Sequence, residues 1–218
     1  VIVYLLSSSF DELFLIGGAL LLGVAMPINA LQILFVNFLA DSFPAIAFAF
    51  EDGIDDLGNR PQKLHKNLFD REMKFFILVI GTLTSGFLFV LYIVLLKMEF
   101  AEELVRTFIF ASFASYTLLL TFSLRSFAKS IFHYNPFSNK PLTAGVGIGL
   151  ILIVSVIYIP WFGQILNTTP LPPAWLLGVL GVGLINISAV EFSKWLFRKR
   201  IISDVARRDI SKNLHCGN

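Results

Sequence analysis

Two oxygen-bearing side chains stand one helical turn apart in an apolar stretch of the chain. Asn37 and Asp41 have the i, i+4 spacing that places two side chains on one face of a helix. An amide carbonyl and a carboxylate are hard oxygen ligands, which suit Ca²⁺, Mg²⁺, Mn²⁺ or Na⁺ and not the softer metals. Pro44 lacks the N–H that would reach the carbonyl of Ala40. The pattern therefore predicts a loosened helix beside a pair of cation ligands.

A second polar cluster precedes this pair. Ser9 and Glu12 share a helical face through their i, i+3 spacing, whereas Asp11 is displaced from Glu12 by about 100° around the helix. Glu12, Asp11 and Ser9 are therefore candidates for cation binding together with Asn37 and Asp41, although Asp11 and Glu12 are not expected to serve one small site equally. The alternative is that these groups only hydrogen-bond neighbouring helices together, which serine does readily. A carboxylate performs that role poorly without a donor.

The elements that position these residues follow from the composition. The chain has 218 residues, of which 56% are apolar, 15% are charged and 23 are phenylalanine, and its mean hydropathy is +0.77. A chain of this length has too little interior to bury so much apolar surface, so part of it must lie in a bilayer. A single cysteine and a net charge of +2 exclude a disulfide scaffold, a cysteine-based zinc site and a nucleic-acid partner.

The predicted fold is all-α: a polytopic membrane protein built as a bundle of six transmembrane helices. Each of the six predicted segments contains about 20 mainly apolar residues, the length that a spanning helix needs. Residues 1–200 form the predicted transport domain and residues 201–218 a cytoplasmic tail. We expect no signal peptide, because residues 4–12 are too polar for its apolar core. The six predicted segments are 1–24, 31–50, 74–96, 104–124, 143–163 and 174–197.

The basic residues predict the orientation. All 17 except Lys97 and Arg106 lie in residues 51–74, in residues 125–140 or from residue 194 onward. These regions should face the cytoplasm, which places both ends of the chain there. The acids of the first two segments have no base within reach in those segments, so they are expected to bind a cation or protons. Glu191 is instead expected to pair with Lys194 and to extend to the membrane interface.

Three motifs carry a resemblance to a known family. Residues 32–51, QILFVNFLADSFPAIAFAFE, resemble the sixth membrane helix of P-type cation-transporting ATPases, and most closely the calcium-pump branch. Residues 4–12, YLLSSSFDE, look like the fifth helix, and residues 56–61, DLGNRP, look like the cytoplasmic loop that follows the sixth. The resemblance implies that the chain corresponds to helices five to ten of such a pump.

The resemblance also implies roles for single residues. Glu12, Asn37 and Asp41 fall on positions that ligate the ion at the family's second site. The positions of its first site are filled by Ser9, by Ala40 and, on a weaker alignment, by a residue near Thr117, so we predict one ion per cycle. Asp11 replaces a small residue and either serves a counter-transported proton or faces a neighbouring helix. The implied coupling loop towards the phosphorylation domain contains Asp56, Arg60 and Pro61.

No phosphorylation or nucleotide-binding motif is present in this sequence, so Mg-ATP would act only through domains absent from it. The implied partners are the lipid bilayer and the N-terminal helices and cytoplasmic domains of the same pump. We expect an integral membrane protein of the plasma (inner) membrane in a bacterium, or of the secretory pathway or plasma membrane in a eukaryote. Ca²⁺ is the favoured ion, with Na⁺/K⁺, Mn²⁺, Mg²⁺ or H⁺ as alternatives. A stand-alone secondary transporter or a non-catalytic membrane fragment is the alternative function.

Overall fold

The computed structural model describes the backbone of residues 2–38, 42, 71–124 and 136–215, and the side chains of most residues between 8 and 38, 81 and 123, and 137 and 196. No strand occurs in these ranges, which confirms the predicted all-α class for the described part of the chain. Helices satisfy their own backbone hydrogen bonds, as an apolar solvent requires. The helices are α1 (Ile2–Leu22), α2 (Ala30–Val36), α3 (Arg71–Lys97), α4 (Glu102–Leu124), a 3-10 turn (Pro136–Ser138), α5 (Lys140–Tyr158), α6 (Pro160–Leu166) and α7 (Pro173–His215).

Three stretches of the described helices are long and apolar enough to cross a membrane: Glu102–Ser123, Lys140–Tyr158 and Pro173–Leu196. Gly81–Lys97 is a shorter apolar stretch. These helices confirm a helical membrane protein, while the count of six spans and the cytoplasmic placement of both ends stay predictions.

Helix α4 is the centre of the bundle. In its apolar window 83% of the residues are buried inside the protein, against 39% for α5 and 28% for α7. Three of its large side chains, those of Phe110, Phe113 and Tyr116, are fully buried. The outer helices instead turn many large apolar side chains outward, as expected where lipid is the solvent.

Helix α1 packs along α3, and glycines make their close approach possible. A Cβ on Gly81 of α3 would lie 2.6 Å from Cδ1 of Phe10, and one on Gly18 of α1 would lie 2.9 Å from Cζ of Phe89. Each phenyl ring occupies the space that a side chain would need. This contact fixes which face of α1 is turned away from α3, and that face carries Glu12.

The fifth predicted segment is not one helix, which corrects the continuous helix expected over 143–163. The chain breaks at Ile159, and Pro160 begins α6. Proline has no N–H and crowds the carbonyl four residues earlier, so the carbonyl of Val156 loses its helical partner. The Thr168 hydroxyl donates to that carbonyl instead, at 2.7 Å.

The last helix is longer than predicted. We predicted a membrane segment over 174–197 and a cytoplasmic tail over 201–218; α7 runs without a break from Pro173 to His215, so the helix continues beyond the predicted membrane segment. No proline or glycine occurs between residues 184 and 216. Since these are the residues that most readily end a helix, the polar segment extends the membrane helix.

Candidate cation site

The structure brings together two of the three predicted ligands. Asn37 Nδ2 of the segment that continues α2 donates a hydrogen bond to Glu12 Oε2 of α1 at 3.2 Å. The other oxygen of each group, Glu12 Oε1 and Asn37 Oδ1, is buried and has no hydrogen-bond partner. Buried polar atoms without a partner are rare, and each one requires an explanation. Two such oxygens on adjacent helices are a suitable pair of ligands for a hard cation.

The start of α2 is held by an amide pair that sequence reasoning did not identify. Asn29 Oδ1 accepts from the N–H of Gln32 at 2.8 Å, and Gln32 Oε1 accepts from the N–H of Asn29 at 3.0 Å. Both side-chain amides also donate to the carbonyl of Leu166, each at 3.0 Å. This arrangement is a reciprocal capping box. The pattern Asn-x-x-Gln before an apolar run is visible in the sequence and could have predicted it. The capping box fixes the helix that leads to Asn37.

The loop that enters α2 is fastened as well. The Tyr92 hydroxyl of α3 donates to the carbonyl of Ala25 at 2.6 Å, and the Tyr92 side chain is fully buried. The path from α1 to α2 is therefore anchored on both α3 and α6, which sets the distance between Glu12 and Asn37.

Asp11 points away from this pair and into α3. Its Oδ1 accepts hydrogen bonds from the hydroxyl groups of Thr84, at 3.0 Å, and of Ser85. Asp11 is 1% exposed and both hydroxyl residues are fully buried. The contact with a neighbouring helix is thus present. Thr84 and Ser85, which supply the donors, were not identified from the sequence because nothing there indicated their register with Asp11.

The other predicted site residues that the structure describes do not contact the Glu12–Asn37 pair in any hydrogen bond found there. Ser9 is exposed, whereas Ser8 is fully buried. Thr117 is buried on α4, where its hydroxyl donates to the carbonyl of Phe113 in the same helix at 2.8 Å. Within the described ranges no three His, Cys, Asp or Glu side chains form a metal-binding group. The other predicted positions, Asp41, Ala40, Asp56, Arg60 and Pro61, lie outside the described residues.

Glu191 pairs with Lys194 as predicted, at 2.8 Å, but the expected extension to the interface is wrong. The Lys194 side chain is 1% exposed, and its ammonium group donates to the carbonyl of Ser123 as well as to Glu191. The Ser123 hydroxyl also donates to Glu191. The pair is turned inward because the end of α4 offers a carbonyl and a hydroxyl there, so a polar network joins α7 to α4.

A comparison with protein families shows to which family this chain belongs. Residues 25–196 match a family described as "Cation transporting ATPase, C-terminus". The chain belongs to this family. Membership confirms the resemblance to P-type cation pumps, and the match includes Asn37 but begins after Glu12.

Relatives of this family member are calcium-transporting ATPases. That of Bacillus subtilis is 31% identical over 186 residues, which cover 84% of this chain and 21% of the relative. Calcium-transporting ATPase 1 of Bacillus cereus is 32% identical over 175 residues, covering 73% of this chain and 20% of the relative. Calcium-transporting ATPase type 2C member 1 of Pongo abelii is 28% identical over 205 residues, covering 89% and 21%. The chain thus spans about a fifth of the length of these relatives.

Proposed function

We propose that this chain is the transport region of an ATP-driven calcium pump and that it holds one cation between α1 and the segment after α2. The observation that carries the proposal is the Glu12–Asn37 pair, which has one buried, unpartnered oxygen on each side. The calcium-transporting ATPases among its relatives favour Ca²⁺ as the ion.

The chemistry of the ligands supports a divalent ion. Ca²⁺ takes about 6–8 oxygen ligands in flexible geometry. Glu12 and Asp41 would supply carboxylate oxygens, and Asn37 a carbonyl oxygen. Two carboxylates balance the double charge of Ca²⁺ inside a bilayer, where an unbalanced charge is strongly disfavoured. The remaining ligands would come from water and from other parts of the pump.

Ion binding and release would change the contact between the two helices. The Asn37 amide now donates to Glu12 across 3.2 Å. A cation between them would replace this hydrogen bond by coordination to Glu12 Oε1 and Asn37 Oδ1. Alternating access then needs only a movement that separates the two helices enough to remove one ligand.

The energy would come from Mg-ATP bound to cytoplasmic domains outside this sequence. The loop with Asp56, Arg60 and Pro61 would transmit phosphorylation to α1 and α2. We propose one ion per cycle, because Ser9, Ala40 and Thr117, at the positions that correspond to a first site, supply no carboxylate to a second divalent ion.

The test is Ca²⁺-stimulated phosphorylation of the full-length protein that carries this chain. We expect Glu12→Gln, Asn37→Ala and Asp41→Ala each to raise the half-saturating Ca²⁺ concentration about tenfold or more. Glu12→Gln removes a carboxylate charge from the site, and each alanine substitution removes a direct ligand. Glu99→Gln, which removes an exposed acid from the loop between α3 and α4, is the matched control and should change nothing.

Two results would reject the proposal at different levels. A wild-type protein that forms no phosphoenzyme with any of the candidate cations rejects the pump. A normal Ca²⁺ dependence in Glu12→Gln and Asn37→Ala rejects the site while leaving the pump intact. Competition by Mn²⁺, Mg²⁺, Na⁺, K⁺ or H⁺ identifies the ion.

A further inference from the structure

A cavity of about 480 Å³ opens at the end of the bundle where α4 begins and α5 and α6 end. Its walls are fixed by hydrogen bonds of the segment that leads to α7. The Thr169 N–H donates to the Thr107 hydroxyl at 3.0 Å, and the Tyr158 hydroxyl donates to the carbonyl of Leu171 at 2.7 Å. The cavity is therefore part of the folded bundle and not a gap between mobile loops. Its polar lining residues are Glu103, Arg106, Gln164, Asn167, Thr168 and Thr169.

The cavity has one cation and one anion in its lining. Arg106 Nε is buried and has no hydrogen-bond partner. The guanidinium has a single ion-pair contact among the described residues, 3.7 Å from NH1 to Glu102 Oε1. Glu103 is exposed, and its carboxylate forms no ion pair with any described residue. A ligand with an acceptor oxygen for Arg106 and a positive group for Glu103 would complement both.

The cavity lies near the end of a helix of membrane length, and the long side chain of Arg106 can extend from the edge of the hydrocarbon core to the headgroup layer. The 23 residues of α4 measure about 35 Å, against about 30 Å for the hydrocarbon core. Arg106 lies four residues after the helix start, or about 6 Å along the axis. Tyr158, which also lines the cavity, is 40% exposed, and the nearby Trp161 is 65% exposed. Aromatic side chains of this kind are typical of the membrane interface, so acyl chains can lie directly beside the cavity mouth.

We propose that this cavity binds the headgroup of a zwitterionic phospholipid, with the phosphate on Arg106 and the ammonium group on Glu103. Phosphatidylethanolamine has the required chemistry: a phosphate oxygen accepts from the orphan Nε–H, and a primary ammonium donates to the carboxylate. The two lipid charges cancel the two protein charges, so the site gains its ligand without adding net charge at a negative end of the bundle. The site does not depend on the ion or on the pump cycle proposed above.

The test is lipid retention by the full-length protein in mild detergent, followed by native mass spectrometry. The probes are dioleoyl phosphatidylethanolamine, dioleoyl phosphatidylglycerol, which has the phosphate without the amine, and soluble phosphoethanolamine. We expect the wild type to retain phosphatidylethanolamine in preference to phosphatidylglycerol. Arg106→Gln should lower retention of both lipids about tenfold, because it removes a charge-assisted hydrogen bond. Glu103→Gln should abolish the preference and leave phosphatidylglycerol unchanged.

Two variants keep the result interpretable. Lys97→Gln removes an exposed cation at the same end of the bundle, outside the cavity, and should leave retention unchanged. Gln164→Trp fills the cavity from an exposed position without altering any charge, and should displace the lipid even if Arg106→Gln fails to fold. Equal losses in Lys97→Gln and Arg106→Gln would overturn the proposal. So would binding of soluble phosphoethanolamine as tightly as the lipid, which would assign the site to the free molecule.

Discussion

The contact of Asp11 with Thr84 and Ser85 leads to a prediction about the stability of the bundle. The double substitution Thr84→Val and Ser85→Ala removes both hydroxyl donors and leaves the carboxylate buried. A hydrogen bond to a charged group contributes about 1.5–3 kcal/mol. Both hydroxyls also approach the carbonyl of Gly81, at 3.2 and 2.5 Å, so each shares its single proton. We therefore take the lower end, about 1.5 kcal/mol for each of the two bonds, and expect a total loss of about 3 kcal/mol in unfolding free energy.

The sign of a third substitution separates a hydrogen-bonded acid from simple loss of packing. Adding Asp11→Ala to the double variant removes the uncompensated group, so stability should recover by about 1.5 kcal/mol even though another side chain is deleted. If the hydroxyls only filled space, the third substitution would instead destabilise the protein further, because it would enlarge the void.

Unfolding free energies would be measured by titration of detergent-solubilised protein with sodium dodecyl sulfate, followed by far-ultraviolet circular dichroism. Thr121→Val is the matched control, since among the described residues this fully buried hydroxyl bonds only to the carbonyl of Leu118 in its own helix. Its expected loss is about 1 kcal/mol or less. A double variant no less stable than Thr121→Val, or a triple variant less stable than the double, would refute the reasoning.

Three further predictions concern packing, capping and charge. Gly81→Val should destabilise the protein by about 1–3 kcal/mol, whereas Gly147→Val, where nothing lies within 4 Å of an added Cβ, should be tolerated in the same titration. Asn29→Ala should lose about 1–2 kcal/mol and speed hydrogen exchange of the first turn of α2; an unchanged exchange rate would contradict the capping role. Lys194→Met should cost about 3–5 kcal/mol by removing the cation that neutralises the buried Glu191 carboxylate, and adding Glu191→Gln should restore most of it; a loss that grows instead would show that the pair is not coupled.

The features that could be predicted were those that one helix determines by itself. Apolar length located the three described helices that are long enough to cross a membrane. Glu12 and Asn37, both predicted as ligands, lie in contact, and their role as ligands stays a prediction. These predictions depend on composition and spacing along the chain, which can be read directly from the sequence.

The features that were missed depend on what a second helix presents. For Asp11 a neighbouring helix was one of two expected environments, but its partner Thr84, 73 residues away, was not identified. Lys194 was interpreted from its own helix alone, yet it also donates to Ser123, 71 residues away. The register between helices sets such contacts, and no local pattern encodes it. The break at Pro160 could have been predicted, because a proline inside an apolar run disfavours a continuous helix. The prediction relied on the apolar length of the segment alone and did not use this signal.

The two amide bonds to the carbonyl of Leu166 have a mechanical consequence. They fix the first turn of α2 to the end of α6, so this end of the helix is a pivot and the Asn37 end is the one that can move. Asn37 lies eight residues from Asn29, or about 12 Å along the axis. A tilt of only about 10° around the pivot would shift Asn37 by about 2 Å, enough to separate it from Glu12. A small tilt of α2 would therefore open or close the ligand pair while the other helices keep their positions.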